Sequence, residues 1–547
     1  MTRNLDLADI QGNIVRAYGR FGFPFARYFL FHIPTTKAGR AFVQKIEPRL
    51  TTAERWQGGP DDPDQSGIPV PRVTLNVGFT WKGLVALDVP ISTLSGLPHE
   101  FIEGMVKRAP ILGDEGASDL GQWDPVWRRS AENDTSAIHL MVSISAQMAN
   151  DGQPVPELEA QSNWLRKTAR DSGVKLLRGH ARSNADYQQA GARLDQAADG
   201  SMKISPKEHF GFVDGIGDPV FEGQFEPTVE TTRVKGRGKL TKEQTWKPLA
   251  TGEFLLGHVD ESQELPPTTL PVQFTQNGSF MAFRKLHEDV GAFQDYIDEQ
   301  SAKFARIMGI SVEEASETLR AKMVGRWANG VPLMAAPTFR DLKKFEKNWA
   351  DIPGIRAKSS ERTQTEKARL QAYKDVLIDF RYRDDQDGAK CPFGAHIRRG
   401  NIRDFMDPRL ASDAPGTWDG SAISNRRRIL RRGLPYGSFD PGAERSDQEH
   451  GVIFLAVCAS LERQFEFVLQ QWINYGMDVR SGNDTCPLLG VRPEGAKFVI
   501  AADPDSGHPP FIMDGMPQFV STRGGEYFFL PSVTSLRMIA NGTVDPT

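Results

Sequence analysis

The stretch RYFLFHIPTTKAGRAFVQKIEPRL, residues 27–50, decides the fold. Its first seven residues form an aromatic and aliphatic run of strand length, and from residue 38 the apolar positions Phe42, Ile46 and Leu50 recur at helical spacing. A strand therefore runs straight into a helix. Outward from it, RVTLNVGFT (72–80) alternates as a strand and SAIHLMVSISA (136–146) reads as another. ELEAQSNWLRKTARDSG (157–173) has a helical pattern with a glycine stop, and VKLLRGHARS (174–183) returns as a strand. The order is βαββαβ, that of a ferredoxin-like unit with an antiparallel sheet under one layer of helices, interrupted by a Pro- and Gly-spotted insertion over 81–135.

The same order returns in the second half. SFMAFRKL (279–286) is a strand, and EDVGAFQDYIDEQSAKFARI (288–307) and SVEEASETLRAKMVGRWA (311–328) are helices. RILRRGL (428–434) and GVIFLAVCAS (451–460) are strands, LERQFEFVLQQWINY (461–475) a helix, and EYFFLPSV (526–533) a last strand. The predicted fold is α+β, with duplicated ferredoxin-like units, antiparallel sheets, helices on the outside and long insertions, the two sheets packed against each other. Residues 1–222 form the N-terminal unit, the polar stretch 223–272 an inserted loop or hairpin, and 273–547 the C-terminal unit.

Composition limits the partners. Of 547 residues, 39% are hydrophobic and 25% charged, and 66 basic against 70 acidic side chains leave a net charge of -4, so a global polyanion-binding surface is excluded. The three cysteines, Cys391, Cys458 and Cys486, form no C-x-x-C pair, which argues against a disulfide scaffold or a structural zinc site and for a reducing compartment. The N-terminus reaches charged residues before any long apolar run, and no stretch approaches the roughly 18 apolar residues of a membrane span. The expectation is a cytoplasmic protein with neither membrane nor nucleic acid as partner; the oligomeric state stays open.

No G-x-x-x-x-G-K-S/T loop, H-E-x-x-H or G-x-S-x-G motif occurs. Three segments combine ionisable groups with glycines and aromatics: HFGFVDGIGDPVFEG (209–223), CPFGAHIRRGNIRD (391–404) and NRRRILRRGLPYG (425–437). Asp214, flanked by Gly211, Gly215 and Gly217, reads as a plain Asp-Gly turn or as a carboxylate brought close to a flat or bulky group. His396 is an ordinary core or surface histidine or a single imidazole suited to haem iron, where a porphyrin supplies the equatorial donors. The arginines of the third segment line an exposed strand face or bind an anion.

Together these segments resemble the dye-decolourising peroxidase family. Its GxxDG motif reads GFVDG here, so the resemblance puts Asp214 in the place of the distal acid-base carboxylate. CPFGAHIRRGNIR matches the proximal histidine context, which implies His396 as the iron ligand and Arg403 as a partner of a haem propionate. The R-x-G-x-P-Y-G strand end places the distal arginine on Arg431. GNDTCPLLG (482–490) is similar to a G-x-D-P-L-x-G stretch whose aspartate accepts from the proximal imidazole, which falls on Asp484, although Thr485 and Cys486 interrupt the pattern. GVIF (451–454) is similar to G-L-L-F, whose apolar side chains cover the distal haem face; that falls on Val452 and Phe454, for which a strand-core role is an equal alternative. The likeness runs from IQGNIVRAYG (10–19) to EYFFLPSV, and the length and the IQGN start resemble the larger, cytoplasmic-type members.

The resemblance implies haem b (iron protoporphyrin IX) as cofactor, hydrogen peroxide as oxidant and bulky aromatic electron donors, dyes and phenols, oxidised in one-electron steps. Asp214 would move the proton and Arg431 stabilise developing charge. Two other readings compete: a haem-binding or haem-handling protein with incidental peroxidase activity, and a nucleic-acid patch on RRRILRR (426–432), against which the net charge argues.

Overall fold

The computed structural model describes residues 5–545 except 60–66, 182–183, 198–199, 242, 244, 359–360, 407–421, 440–448, 478–481, 483, 493–495 and 503–506. Strand β1 (Phe25–His32) runs into helix α1 (Thr36–Ile46). The Thr35 hydroxyl caps the helix by accepting from the Ala38 N–H. Phe42, Val43 and Ile46 are buried on its inner face, with the Phe42 ring 5.1 Å from that of Phe31. The helix expected to reach Leu50 stops at Ile46, where Pro48 tightens the chain into a 3₁₀ turn, Glu47–Arg49. Strands β2 (Val73–Phe79) and β3 (Leu140–Ala146) follow, then helix α2 (Glu157–Ser172) and a short β4 (Lys175–Leu176). Strand β5 (Gln188–Gly191) shares the outer edge of β1 with β4, so the strand expected over 174–183 is only two residues long.

The second half repeats the plan. Strand β6 (Ser279–Glu288) is followed by α3 (Val290–Met308) and α4 (Val312–Val324), then by β7 (Leu430–Tyr436), β8 (Gly451–Cys458) and β9 (Val520–Leu530). The pairing is antiparallel, with order β2-β3-β1-β4 in the first half and β7-β8-β6-β9 in the second. Each half thus reads second, third, first, fourth, the ferredoxin-like arrangement. Between the halves, Pro227–Arg233 forms a short helix and Lys239–Leu240 pairs with Trp246–Lys247 as a small hairpin.

The two sheets are not separate. β9 meets β2 through one residue pair, Phe529 opposite Phe79, making a single nine-stranded sheet. Beyond that pair the seam is bridged by the fully buried side chain of Gln11. Its Nε2 donates to Val77 O (2.8 Å) and Pro531 O (2.9 Å), and its Oε1 accepts from the Val77 N–H (2.9 Å) and Asn76 Nδ2 (3.2 Å). One side-chain amide so stands in for ladder hydrogen bonds. The halves also face each other: the rings of Tyr28 on β1 and Phe283 on β6 lie 5.6 Å apart. In a flat sheet those strands would stand about 19 Å apart. The sheet therefore curls round its core, bringing β5 alongside β7.

The segment 461–475 is helical as expected but wound as a π-helix, Leu461–Glu466 continuing as Val468–Tyr475. The Gly476 N–H closes it on Gln471 O, five residues back. Among the described residues no helix is long and apolar enough to cross a membrane.

Candidate functional site

A cavity of about 330 Å³ lies between the halves, lined by the 208–219 loop, the inner faces of β6 and β8, the 380–403 segment and the π-helix. Six of the seven residues singled out from sequence line it: Asp214, Arg431, His396, Arg403, Val452 and Phe454.

Asp214 sits where the chain turns through Gly215 at φ 80. A Cβ at Gly215 would stand 2.7 Å from Arg20 Nε, so only glycine lets that guanidinium approach. Oδ1 of Asp214 accepts from the Gly215 N–H at 2.5 Å and from Arg431 Nη1 at 2.9 Å. Its side chain is 60% accessible, but the open side is the cavity, so the arginine charges act through protein rather than through bulk water. Burial pushes its pKa up; Arg431 and Arg20 more than reverse this and bring it down to about 2. At the start of β7, strand alternation turns Arg431 toward the cavity and Arg432 away from it. Asp218 serves both: Oδ1 accepts the Arg431 N–H (2.9 Å) and Oδ2 accepts from Arg432 Nη1 (2.8 Å). Arg432 also donates to Asn13 O and Ile14 O, at 2.8 and 2.6 Å, which gives the IQGN segment a second task.

The sequence reading missed a second carboxylate here. Glu208 lines the cavity and accepts the N–H groups of Phe210 and Phe212, each at 2.7 Å. Burial, with the nearby Asp214 charge adding, pushes its pKa up to about 7.

On the opposite wall His396 begins a one-turn helix, His396–Gly400. The two arginines after Ile397 are fully buried anchors. Arg398 pairs with Asp385 at 2.7 Å, while Arg399 donates to Trp472 O (3.0 Å), Ile473 O (3.1 Å) and Asp484 O. This corrects the expectation for Asp484: its main-chain carbonyl is held by Arg399, and the group facing the imidazole is Cys486, whose Sγ lies 3.3 Å from His396 Nδ1. The interrupting Thr485 and Cys486 move the acid out of reach and put sulfur in its place. Burial alone would push the Cys486 thiol up, but the His396 ring and the N–H groups of Leu489 and Leu488 bring it down to about 6. Burial likewise opposes charge on His396, and Cys486 turns the net shift upward.

The third wall is cationic. Arg403, held in the left-handed region at φ 50, donates to Ile378 O (2.8 Å) and Phe380 O (3.1 Å) and stacks 3.9 Å over the Phe380 ring. Arg326, unremarkable in sequence, and Arg428, from the singled-out basic segment, join it in lining the cavity; burial and the Arg403 charge lower the pKa of each to about 9. Among the described residues no carboxylate pairs with any of the three. Buried polar atoms of other lining residues also lack a hydrogen-bond partner there: Tyr382 Oη, Asn401 Oδ1 and Trp472 Nε1. No group of three or more His, Cys, Asp or Glu able to hold a bare metal ion occurs among the described residues.

Residues 9–183 match the family model described as the DyP dimeric alpha+beta barrel domain. The dye-decolorizing peroxidase of Exidia glandulosa is 28% identical over 401 residues, covering 69% of this chain and 67% of that protein. Peroxidase 2 of Mycetinis scorodonius is 25% identical over 555 residues, 97% of this chain and 87% of its own. A crystal structure of a fungal DyP-type peroxidase from Auricularia auricula-judae superposes with a TM-score of 0.68 at 22% identity, over 98% of this chain and 99% of the other, a likeness of fold. A matching N-terminal unit, relatives aligned through both halves and a fold shared from end to end support a DyP-type peroxidase.

Proposed function

We propose that the chain is a haem b peroxidase that uses hydrogen peroxide to oxidise bulky aromatic donors, dyes and phenols, by one-electron steps. The observation that carries this is the placing of His396, the Asp214–Arg431 pair and three arginines that pair with no described carboxylate on different walls of one cavity. The donor set fits the group. A lone imidazole, with no metal-holding group of three or more His, Cys, Asp or Glu among the described residues, suits an iron whose equatorial donors come from a macrocycle. Arg403, Arg428 and Arg326 suit two carboxylates, and Tyr382, Asn401 and Trp472 have buried polar atoms still to be satisfied. Val452 and Phe454, on one face of β8, offer an apolar wall.

Haem b, when bound, would supply an open iron coordination position, two electrons for the reduction of peroxide and one-electron steps with the donors. The chain supplies the proton handling. Arg431 and the Gly215 N–H occupy Oδ1 of Asp214, so Oδ2 is the atom that takes a proton from hydrogen peroxide and gives it back to the oxygen departing as water. Arg431, held by its ion pair with Asp214, places a fixed positive charge where negative charge develops on peroxide. His396 would hold the iron, and Arg398 and Arg399 brace its helix.

The purified holoprotein should show a Soret band, which His396→Ala abolishes, and peroxide-dependent oxidation of an anthraquinone dye, which Asp214→Asn suppresses while haem content stays at the wild-type level. Full turnover by Asp214→Asn with normal haem content would overturn the assignment and favour a haem-handling role.

A further inference from the structure

In the expected arrangement a carboxylate takes the second nitrogen of the axial imidazole, and here that carboxylate is elsewhere. Two of the groups that approach Cys486 Sγ, the N–H groups of Leu488 and Leu489, can only donate, and His396 Nδ1 lies at 3.3 Å. A sulfur already met by two backbone N–H groups is set up as an acceptor, which assigns the shared proton to Nδ1 and the lone pair of the ring to Nε2. We propose that Cys486 is the positioning residue of the axial histidine, its sulfur accepting the Nδ1–H of His396 and thereby fixing both ring orientation and tautomer.

The placement is built rather than incidental. Cys486 is fully buried. Its N–H donates to Ile473 O at 2.8 Å, and its carbonyl accepts from Arg492 Nη2 at 2.6 Å and from the Gly490 N–H at 2.9 Å. A Cβ on Gly490 would lie 2.7 Å from Cys486 N, so the turn that presents the sulfur closes only with glycine there. Arg399, three residues beyond His396, donates to Trp472 O, Ile473 O and Asp484 O, and so bolts the histidine helix, the π-helix and the cysteine loop at one point. The ring and the sulfur cannot drift apart without breaking that anchor.

Sulfur is larger and a weaker hydrogen-bond acceptor than a carboxylate oxygen, so it draws less on the Nδ1 proton and lends the imidazole less anionic character. A metal partnered by such a ring is less strongly stabilised in its higher oxidation state than one whose histidine faces a carboxylate. This consequence rests on the haem reading; the hydrogen bond itself does not.

Two measurements separate them. In apoprotein labelled with ¹⁵N-histidine, the His396 resonances should report a protonated Nδ1 at a pH where free imidazole is neutral, and Cys486→Ala should shift the ring toward the Nε2–H tautomer. In holoprotein, the iron(III)/iron(II) midpoint should rise in Cys486→Ala and fall below wild type in Cys486→Asp, with the iron–imidazole stretch moving down and up in parallel. Should Cys486→Ala fail to fold, Cys486→Val, close to cysteine in volume and without an acceptor, should move each readout in the direction given for alanine. Unchanged ¹⁵N shifts, midpoint and stretch in the alanine or valine variant would overturn the proposal. Failure to take up haem, with the ¹⁵N result as expected, would overturn the haem reading and leave the hydrogen bond standing.

Discussion

The carboxylate of Asp218 accepts the backbone N–H of Arg431 at 2.9 Å, so the main chain of the residue that Asp214 pairs with is fixed by an acid four residues further along the same loop. The Asp214–Arg431 pair is thus set by a group that is not one of its members. Asp218 also neutralises Arg432, which is 7% exposed. Asp218→Ala should leave that cation unpaired and cost about 3–5 kcal/mol in a urea unfolding titration. In the haem-loaded fraction it should also slow peroxide reduction. A loss below about 1 kcal/mol with an unaltered rate would show that neither role exists.

Asp214 and Arg431 should be coupled, because one ion pair joins them at 2.9 Å. Loss of acid-base catalysis costs roughly 100- to 10,000-fold and loss of one electrostatic donor roughly 100- to 1,000-fold. Asp214→Asn and Arg431→Leu should each fall in these ranges for the stopped-flow reaction with peroxide, and the double variant should lose far less than the product of the two. Multiplying effects would place them in different steps.

Catalysis and folding should respond to acid differently. With its pKa held at about 2, Asp214 stays a competent base throughout mildly acidic solution, so initial rates of dye oxidation should hold between about pH 5 and 3. The fold should not. Burial lowers His139, His180 and His287 to about 4, 3 and 4 from 6.5. Below pH 6.5 the unfolded chain takes up protons that these folded histidines refuse, so their contribution is complete above that pH and is lost as pH falls toward the folded values. Each pH unit in that window costs about 1.4 kcal/mol per histidine. Denaturant midpoints at pH 7 and 5 check this; equal values would contradict it.

Arg428 should show opposite signs with and without cofactor. Among the described residues its guanidinium makes one long hydrogen bond, to Arg237 O at 3.5 Å, and it is buried near Arg403. Arg428→Met should leave the apoprotein as stable or more so, since a buried, uncompensated charge is removed. Haem affinity should drop about 10- to 100-fold for the loss of a charge-assisted contact of about 1.5–3 kcal/mol. Thermal melts of the apoprotein and competition with apomyoglobin for haem test the two halves.

Much of this was readable in the sequence, and the failures have physical causes. Periodicity located both ferredoxin-like quartets because each strand and helix buries one face. Asp214, His396 and Arg431 stood out because glycines and turn residues mark their segments. Asp484 misled because two residues inserted in a loop leave a motif recognisable while changing which side chain reaches the ring. Arg326 was invisible at the end of an ordinary helical pattern, Arg428 was one of a basic run in which anion binding and an exposed strand face stayed equal alternatives, and only tertiary structure shows that each is buried without a described acid beside it. The π winding was equally hidden, since its apolar pattern also satisfies an α-helix. The single sheet depended on Gln11, whose partners lie 66 and 520 residues away.

That glutamine seam has a consequence for the order in which the molecule forms. Each quartet of strands can pair internally, but β2 and β9 cannot meet until nearly the whole chain has left the ribosome, and contacts of such sequence separation form slowly. Until then both carry unpaired edges, the surfaces on which nascent β proteins aggregate. Arg432 hangs from Asn13 and Ile14, next to Gln11, so the strand that bears Arg431 gains this anchor only when the N-terminal segment docks. Peroxide chemistry is therefore among the last properties the newborn chain acquires, and a truncated or stalled product would be spared from handling an oxidant it could not control.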